Sequence, residues 1–429
     1  MRGSYSAFTV AVCVCSLLRV GPALALAQID YRDTLDRAVL GPTVDAAFDN
    51  LFDPYVGYSH QYDNNLYRLP PGLTDLATLT GIGPHPHRSD DINSVTGGLD
   101  AQWQLGTRQS IDLGVRLDDN LFARNTNLNN VSTDDSILWN WGMGSAFTGE
   151  IGAHYLRQLA SFFNTDVYSH NILNHTEYYA GARYVVGPHL VLFGGALNAT
   201  YKLTSPVSKP DNTRINELEV GVDVYSDGTN SLGFDYRYAD GRTLNILDFP
   251  SFFFYPDYRE DSARVLVKYV LSDKSILDFN AGFLKRSYSN GPLAPFSGFI
   301  GRVNFQWQLT DKTQLVLKAY RMLDADITAQ TDYFVGTGGS IGPTWTLSEK
   351  FTIALTAAYD HRTYLGLIPG VPVAPGRRDT LPSESAIFTY NPITALTLTG
   401  AYSHEHRGTN QQQFLYDDDR FTLSAFFKF

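Results

Sequence analysis

Along most of this chain, apolar and polar residues alternate one by one. Leu218, Val220, Val222 and Val224 interleave with Glu217, Glu219, Gly221 and Asp223, and Leu232, Phe234, Tyr236 and Tyr238 interleave with Gly233, Asp235 and Arg237. Val265, Val267 and Tyr269 alternate with Arg264 and Lys268, and Phe299, Val303, Phe305 and Trp307 with Arg302, Asn304, Gln306 and Gln308. A strand sends successive side chains to opposite faces, so each run predicts a strand that is apolar on one side and polar on the other. Turn signals fall at Gly106-Thr107-Arg108, Thr148-Gly149, Gly187-Pro188-His189, Ser226-Asp227-Gly228, Ser272-Asp273-Lys274, Thr310-Asp311-Lys312, Ser348-Glu349-Lys350 and Asn391-Pro392. Their spacing is roughly 40 residues, with two long strands to each repeat. Longer polar connections such as 64–88, 205–213 and 241–257 fill the gaps between hairpins. A propeller of the same period would divide each unit into four short strands. About 18 strands (16–18) of roughly ten residues each instead predict an all-β, antiparallel up-and-down transmembrane barrel, with short periplasmic turns and long extracellular loops.

The carboxyl terminus sharpens this. Phe421, Leu423, Ala425, Phe427 and Phe429 alternate with Thr422, Ser424, Phe426 and Lys428, so the last strand runs to the final residue. Closing it on a first strand at 54–62 leaves no free edge, and every backbone N–H and C=O is satisfied inside hydrocarbon. A terminal Phe behind alternating apolar positions (Phe421, Leu423, Phe427, Phe429) resembles the signal that the barrel-assembly machinery reads during insertion. The apolar half of each strand then faces outer-membrane lipid. Twenty-six Tyr and 26 Phe match the aromatic girdles such barrels carry, with Tyr236, Tyr238, Tyr269, Trp307, Trp345, Tyr359, Trp103, Trp139 and Trp141 as outward candidates.

The amino terminus divides the chain into three parts. Residues 1–27 read as a signal peptide, with Arg2, an apolar run over 7–18 and Ala25-Leu26-Ala27 before the cut. Residues 28–50 form a short periplasmic segment with a helical turn expected near 34–39, and 51–429 form the barrel. Both cysteines, Cys13 and Cys15, fall in the leader, so disulfides and thiolate metal sites are excluded from the mature chain. Of 33 basic residues the leader removes two, leaving 31 against 44 acids, a net charge of −13 that argues against nucleic acid as a partner.

Candidate chemistry sits on the polar face. Arg116, Asp235, Arg237, Arg264, Lys268, Arg302, Asn304 and Gln306 point into the lumen, where mixed charges imply water, because burying them unpaired is costly. Alternatively, these charges pair across strands and stiffen the wall. Phe252, Phe253, Phe254 and Tyr255 form an aromatic loop suited to stacking on sugar rings, or to folding over the rim. Neither His404-Glu405-His406 nor Pro84-His85-Pro86-His87 has an evident third ligand, and both are placed at or in outer loops. Asp417, Asp418 and Asp419 read as a solvated loop before the last strand. No G-x-S-x-G elbow or H-E-x-x-H helix is present. The expectation is a pore without catalysis and without a cofactor or metal.

Three stretches carry a family resemblance. Pro54-Tyr55-Val56-Gly57-Tyr58-Ser59-His60-Gln61-Tyr62-Asp63-Asn64-Asn65-Leu66-Tyr67-Arg68-Leu69-Pro70, the echo Leu117-Asp118-Asp119-Asn120-Leu121-Phe122, and the run from Gly149 to Phe162 resemble the EpsL-like outer-membrane barrels encoded with exopolysaccharide biosynthesis machinery, within the type 2 β-barrel porins. The resemblance implies export of a polysaccharide across the bacterial outer membrane, with periplasmic export components as partners. On the residues alone, a general diffusion porin for small polar solutes and an outer-membrane enzyme acting on lipid or glycan are the other readings.

Overall fold

A computed structural model describes residues 51–73, 86–164, 168–206, 208, 212–226, 229–244, 257–289, 293–325, 331–367 and 376–429. The leader, the 28–50 segment, His85 and the aromatic loop Phe252–Tyr255 lie outside these residues.

Eighteen strands follow one another: β1 (Leu51–Asp63), β2 (Asp90–Gln104), β3 (Ser110–Phe122), β4 (Asn130–Met143), β5 (Phe147–Leu159), β6 (Ile172–Gly187), β7 (Leu190–Leu203), β8 (Thr213–Tyr225) and β9 (Ser231–Thr243). The second half comprises β10 (Tyr258–Ser272), β11 (Ser275–Tyr288), β12 (Phe296–Thr310), β13 (Thr313–Ala325), β14 (Thr331–Ser348), β15 (Phe351–Leu367), β16 (Arg378–Ile393), β17 (Leu396–Thr409) and β18 (Tyr416–Lys428). Each pairs antiparallel with its sequence neighbours, and β1 pairs with both β2 and β18, closing the sheet into a barrel. The closing seam sets Tyr55 opposite Lys428 and Asp63 opposite Arg420.

Lipid explains the exterior. Val220, Phe283 and Leu423 are 60%, 66% and 66% exposed, too much for a water-facing surface that repeats around the wall but natural for one that faces hydrocarbon. The last strand turns Phe421, Leu423, Phe427 and Phe429 outward. All five tryptophans lie on outward positions next to short turns: Trp103 before 105–109, Trp139 and Trp141 before 144–146, Trp307 before 311–312 and Trp345 before 349–350. They mark the periplasmic girdle. Tyr236 and Tyr359 are outward too, but lie mid-strand.

Two turn positions differ from the pattern reading. Thr148-Gly149 lies in β5, where a Cβ on Gly149 would stand 2.3 Å from the Gly181 carbonyl and 2.4 Å from the Trp141 ring, so the glycine serves close approach and not a turn. Asn391-Pro392 lies in β16, at a register shift between Tyr390 and Ile393, and the turn itself is 394–395.

Inside the barrel, aromatic rings lie flat across glycines of the neighbouring strand. Tyr55 covers Gly98, Phe426 covers Gly57, Tyr179 covers Gly152, Phe193 covers Gly221, Tyr258 covers Gly241 and Tyr320 covers Gly338, with a virtual Cβ 2.2–2.6 Å from the nearest ring or hydroxyl atom in every case. Each is a direct cross-strand pair, a device that shields glycine backbone and pins register.

Candidate functional site

The lumen is the candidate site, and its extracellular mouth is the most built part of it. After β1 the chain turns inward. Asp63 accepts from the Asn65 amide at 2.9 Å, and the Asn65 side chain bridges outward and back: its Nδ2 donates to the Leu69 and Asp417 carbonyls at 2.9 and 2.8 Å, while its Oδ1 accepts from the Leu69 N–H at 3.0 Å. Arg68, at φ 56° the one non-glycine residue with positive φ among those described, points its guanidinium at Asp63 (3.2 Å) and Asp418 (3.1 Å). Burial lowers the Arg68 pKa, but the two carboxylates more than offset it, so the net shift is upward and the cation is locked in. Arg88 ties the far side of the same loop by donating to the carbonyls of Leu69, Pro70 and Leu73, each at 2.9 Å. Burial pushes its pKa down.

This scaffold holds Leu66, Tyr67 and Leu69 against Phe122, Leu128 and Phe162 as one apolar cluster. The Tyr67 hydroxyl donates to Asn125 Oδ1 at 3.1 Å, and Asn125 in turn donates to Asp90 and to the His87 carbonyl. Burial, followed by the Asp90 carboxylate, raises the Tyr67 phenol from 10.0 to about 12. Residues 162–164, between β5 and β6, reach across to the other side of the wall. The Phe163 ring sits 4.9 Å from the Arg362 guanidinium of β15 and 4.3 Å from that of Arg407 of β17. On the strand circuit β5 and β15 are eight steps apart out of eighteen, so the contact crosses the mouth nearly along a diameter. The three stretches that carry the family resemblance therefore meet in one place: Asn64 to Leu69, Phe122, and Phe162.

Below and beside this plug runs an ion-paired wall. Arg183 meets Asp223 at 2.9 Å; Arg237 meets Glu217 at 3.0 Å and Glu219 at 2.7 Å; Arg264 pairs with Asp235 and Glu219; Arg286 meets Glu260 at 2.6 Å. All are buried. A small pocket opens from this wall between Glu217, Arg237, Glu260, Ser262, Arg264 and Leu284.

The predicted lumen residues all take inward positions, but in two environments. Arg116, Asp235, Arg237 and Arg264 are buried in ion pairs, Arg116 with Asp118 at 2.9 Å. Lys268 and Gln306 are exposed, and Arg302 and Asn304 are half-buried. Lys268, Asp278, Asn304, Lys318 and Ser340 form one cross-strand row over β10–β14, with Lys318 exposed as well.

Several charged groups were misplaced by sequence reasoning. His404 and His406 lie within β17 and not in a loop, bonded to Asp419 at 2.9 Å and to Asp417 at 2.6 Å. Asp417, Asp418 and Asp419 lie within β18, and Asp418 is fully buried between Arg68 and Arg420. The plug residues Leu66, Tyr67, Leu69 and Phe163 were not singled out as a site at all; the Asp-Asn-Asn run before them was the available signal. Among the described residues no group of three or more His, Cys, Asp or Glu side chains is arranged to hold a metal.

A family model described as "Putative beta-barrel porin 2" matches residues 268–429, from late β10 to the terminus. No curated protein matches the chain at a significant level. Among solved structures, OccK2 (OpdF) of Pseudomonas aeruginosa in complex with glucuronate is similar at 9% identity and a TM-score of 0.48, covering 89% of this chain and 98% of that one. A BenF-like porin from Pseudomonas fluorescens Pf-5 matches at 10% identity, TM-score 0.47, over 88% and 99% of the two chains. The siderophore receptor PirA from Acinetobacter baumannii matches at 9% identity, TM-score 0.44, over 89% and 81%. At such identities and TM-scores these likenesses carry no functional weight. The closed barrel with its lipid-facing exterior is that of a bacterial outer-membrane β-barrel, and the porin-family model matches its last eight strands.

Proposed function

We propose that the barrel is a passive pore for small polar solutes. The observation that carries this reading is the contrast along the lumen: exposed Lys268, Gln306 and Lys318 line a wet inner surface, whereas residues 64–69 and Phe163 narrow the mouth above it. Cations and amides exposed on an inward face replace part of a solute's hydration shell and favour hydrogen-bonding cargo over apolar cargo. Exopolysaccharide export, the function implied by the family resemblance, needs a wide extracellular exit, and the packed Tyr67–Phe162 contact (ring centroids 4.8 Å apart) argues against one. The general-porin reading is therefore the stronger of the two.

Liposome swelling with the purified barrel tests it. Uptake that falls steadily from amino acids through monosaccharides to trisaccharides supports the proposal. A barrel impermeable to every small solute, but blocked or crossed by an extended polysaccharide, would replace it with export.

A further inference from the structure

The outer surface of the barrel is asymmetric in charge. Towards the extracellular ends of β7–β11, outward positions carry Lys202, Arg214, Arg242, Arg259 and Lys285, all exposed. Across β6–β11 the outward positions hold these five cations against two acids, Asp240 and Asp261. On the opposite side, over β16–β18 and β1–β3, outward positions near the same rim hold Glu384, Asp417, Asp419, Asp91 and Asp119 against Arg378, and three of those acids bond to His404, His406 and His60.

Three of the five acids on the acidic side face a histidine, whereas the basic side keeps an excess of cations. Arg214 stands directly opposite Arg242, a like-charge cross-strand pair that weakens a sheet. Asp240 bonds Arg242 at 2.7 Å and stands opposite Arg259, and Asp261 stands opposite Lys285, so two acids are shared among five cations and three positive charges remain in excess. Immediately towards the membrane lie Leu218, Val220, Phe234 and Phe283, exposed to hydrocarbon. A cation on the lipid face is tolerated near an interface and costs several kcal/mol at the midplane, so this row sits at headgroup level.

We propose that this face docks an anionic lipid of the outer leaflet, its phosphates bound by Arg214, Arg242 and Arg259 and its acyl chains laid along Leu218, Val220 and Phe234. The arginine pair is repulsive while the site is empty and becomes attractive once a phosphate sits between the two guanidinium groups, each presenting a fork of donors to its oxygens. The apolar strip beneath accounts for a lipid in preference to a soluble anion. The docking is independent of what crosses the lumen.

The test titrates the full-length barrel in neutral micelles with a bis-phosphorylated glucosamine-disaccharide lipid. Each cation near an anionic lipid surface contributes about fivefold in affinity, so R214Q/R242Q/R259Q loses on the order of 100-fold and R214Q alone about fivefold. Heat-modifiable gel migration reports that each variant is folded, and the single variant keeps the test decisive if the triple fails to insert. K274Q/K312Q/K350Q, which removes cations from the periplasmic turns, binds as the wild type does. Unchanged binding by R214Q and the triple variant overturns the proposal, as does equal binding of the dephosphorylated lipid or an equal loss in the periplasmic variant. Inorganic pyrophosphate binding as tightly as the lipid overturns it too, in favour of a free-anion site.

Discussion

The wall of β6–β11 and the periplasmic ends of β10–β13 are built from the same alternating pattern, yet they treat charge in opposite ways. On the first, Arg237, Arg264 and Arg286 are buried against carboxylates on neighbouring strands and Arg183 against Asp223 two strands away. On the second, Lys268 and Lys318 point the same way and remain exposed. A polar residue facing the lumen is thus either masonry or lining, and the density of opposite charge around it separates the two: the buried arginines share a cluster of carboxylates, whereas Lys268 faces the single carboxylate of Asp278 and stays exposed. Lys318 opposes Asn304 and Ser340, neither of which can neutralise it, whereas Arg237 opposes Glu219 and reaches Glu217.

The sharpest way to break this contrast is to remove a partner from the wall. Arg237→Met takes the Arg237 cation from buried Glu217 and leaves Glu219 only its longer contact with Arg264, and should cost about 3–5 kcal/mol, whereas Lys268→Met should fall within about 0.5 kcal/mol of wild type. Urea unfolding from micelles, followed by tryptophan fluorescence, measures both; equal costs would dissolve the distinction. Next in size is the plug. Asn125→Ala removes the acceptor of Tyr67 and the donor to Asp90, so about 1–3 kcal/mol of mouth stability is lost and single-channel conductance rises, while Lys318→Ala leaves the mouth intact. Unaltered conductance in Asn125→Ala would mean that the cluster around Tyr67 does not restrict flow.

Lys268→Glu/Lys318→Glu should shift the reversal potential in a salt gradient towards cations, with stability within about 0.5 kcal/mol of wild type, because both side chains are exposed and lie in the wet stretch. The same exchange at buried Arg264 would instead prevent folding. The smallest effect is alkaline. The Tyr67 pKa is raised above its unfolded value, so its contribution is full below pH 10 and is lost as pH rises through about 12. Conductance recorded from pH 9 to 12 should climb in the wild type and stay flat in Tyr67→Phe, which keeps the ring but has no proton to lose.

How much of this was legible in the sequence follows from what imposes each feature. Lipid demands a period of two along every strand, so the alternation of Glu217 to Val224 exposed the barrel and its approximate strand number without any knowledge of contacts. Turn positions were legible where a two-residue hairpin needed them and not where glycine or proline served packing, as at Gly149 and Pro392. The plug was not legible. Asp418 looks like part of a solvated acidic loop because its neutralising partner, Arg68, lies 350 residues earlier and meets it only when β1 closes on β18. Phe163 is likewise an ordinary loop aromatic until Arg362 and Arg407 arrive from across the mouth.

The rings laid over glycines on either side of the seam bear on how such a cylinder is completed. Moving β1 two residues along β2 would press Tyr55 onto Thr96 or Asp100, and moving it along β18 would press Phe426 onto Tyr55 or Ser59, none of which leaves the hollow that Gly98 and Gly57 provide. Among eighteen strands of similar pattern, the final stitch carries a lock and key of its own, and a misaligned chain is refused at the last step of assembly.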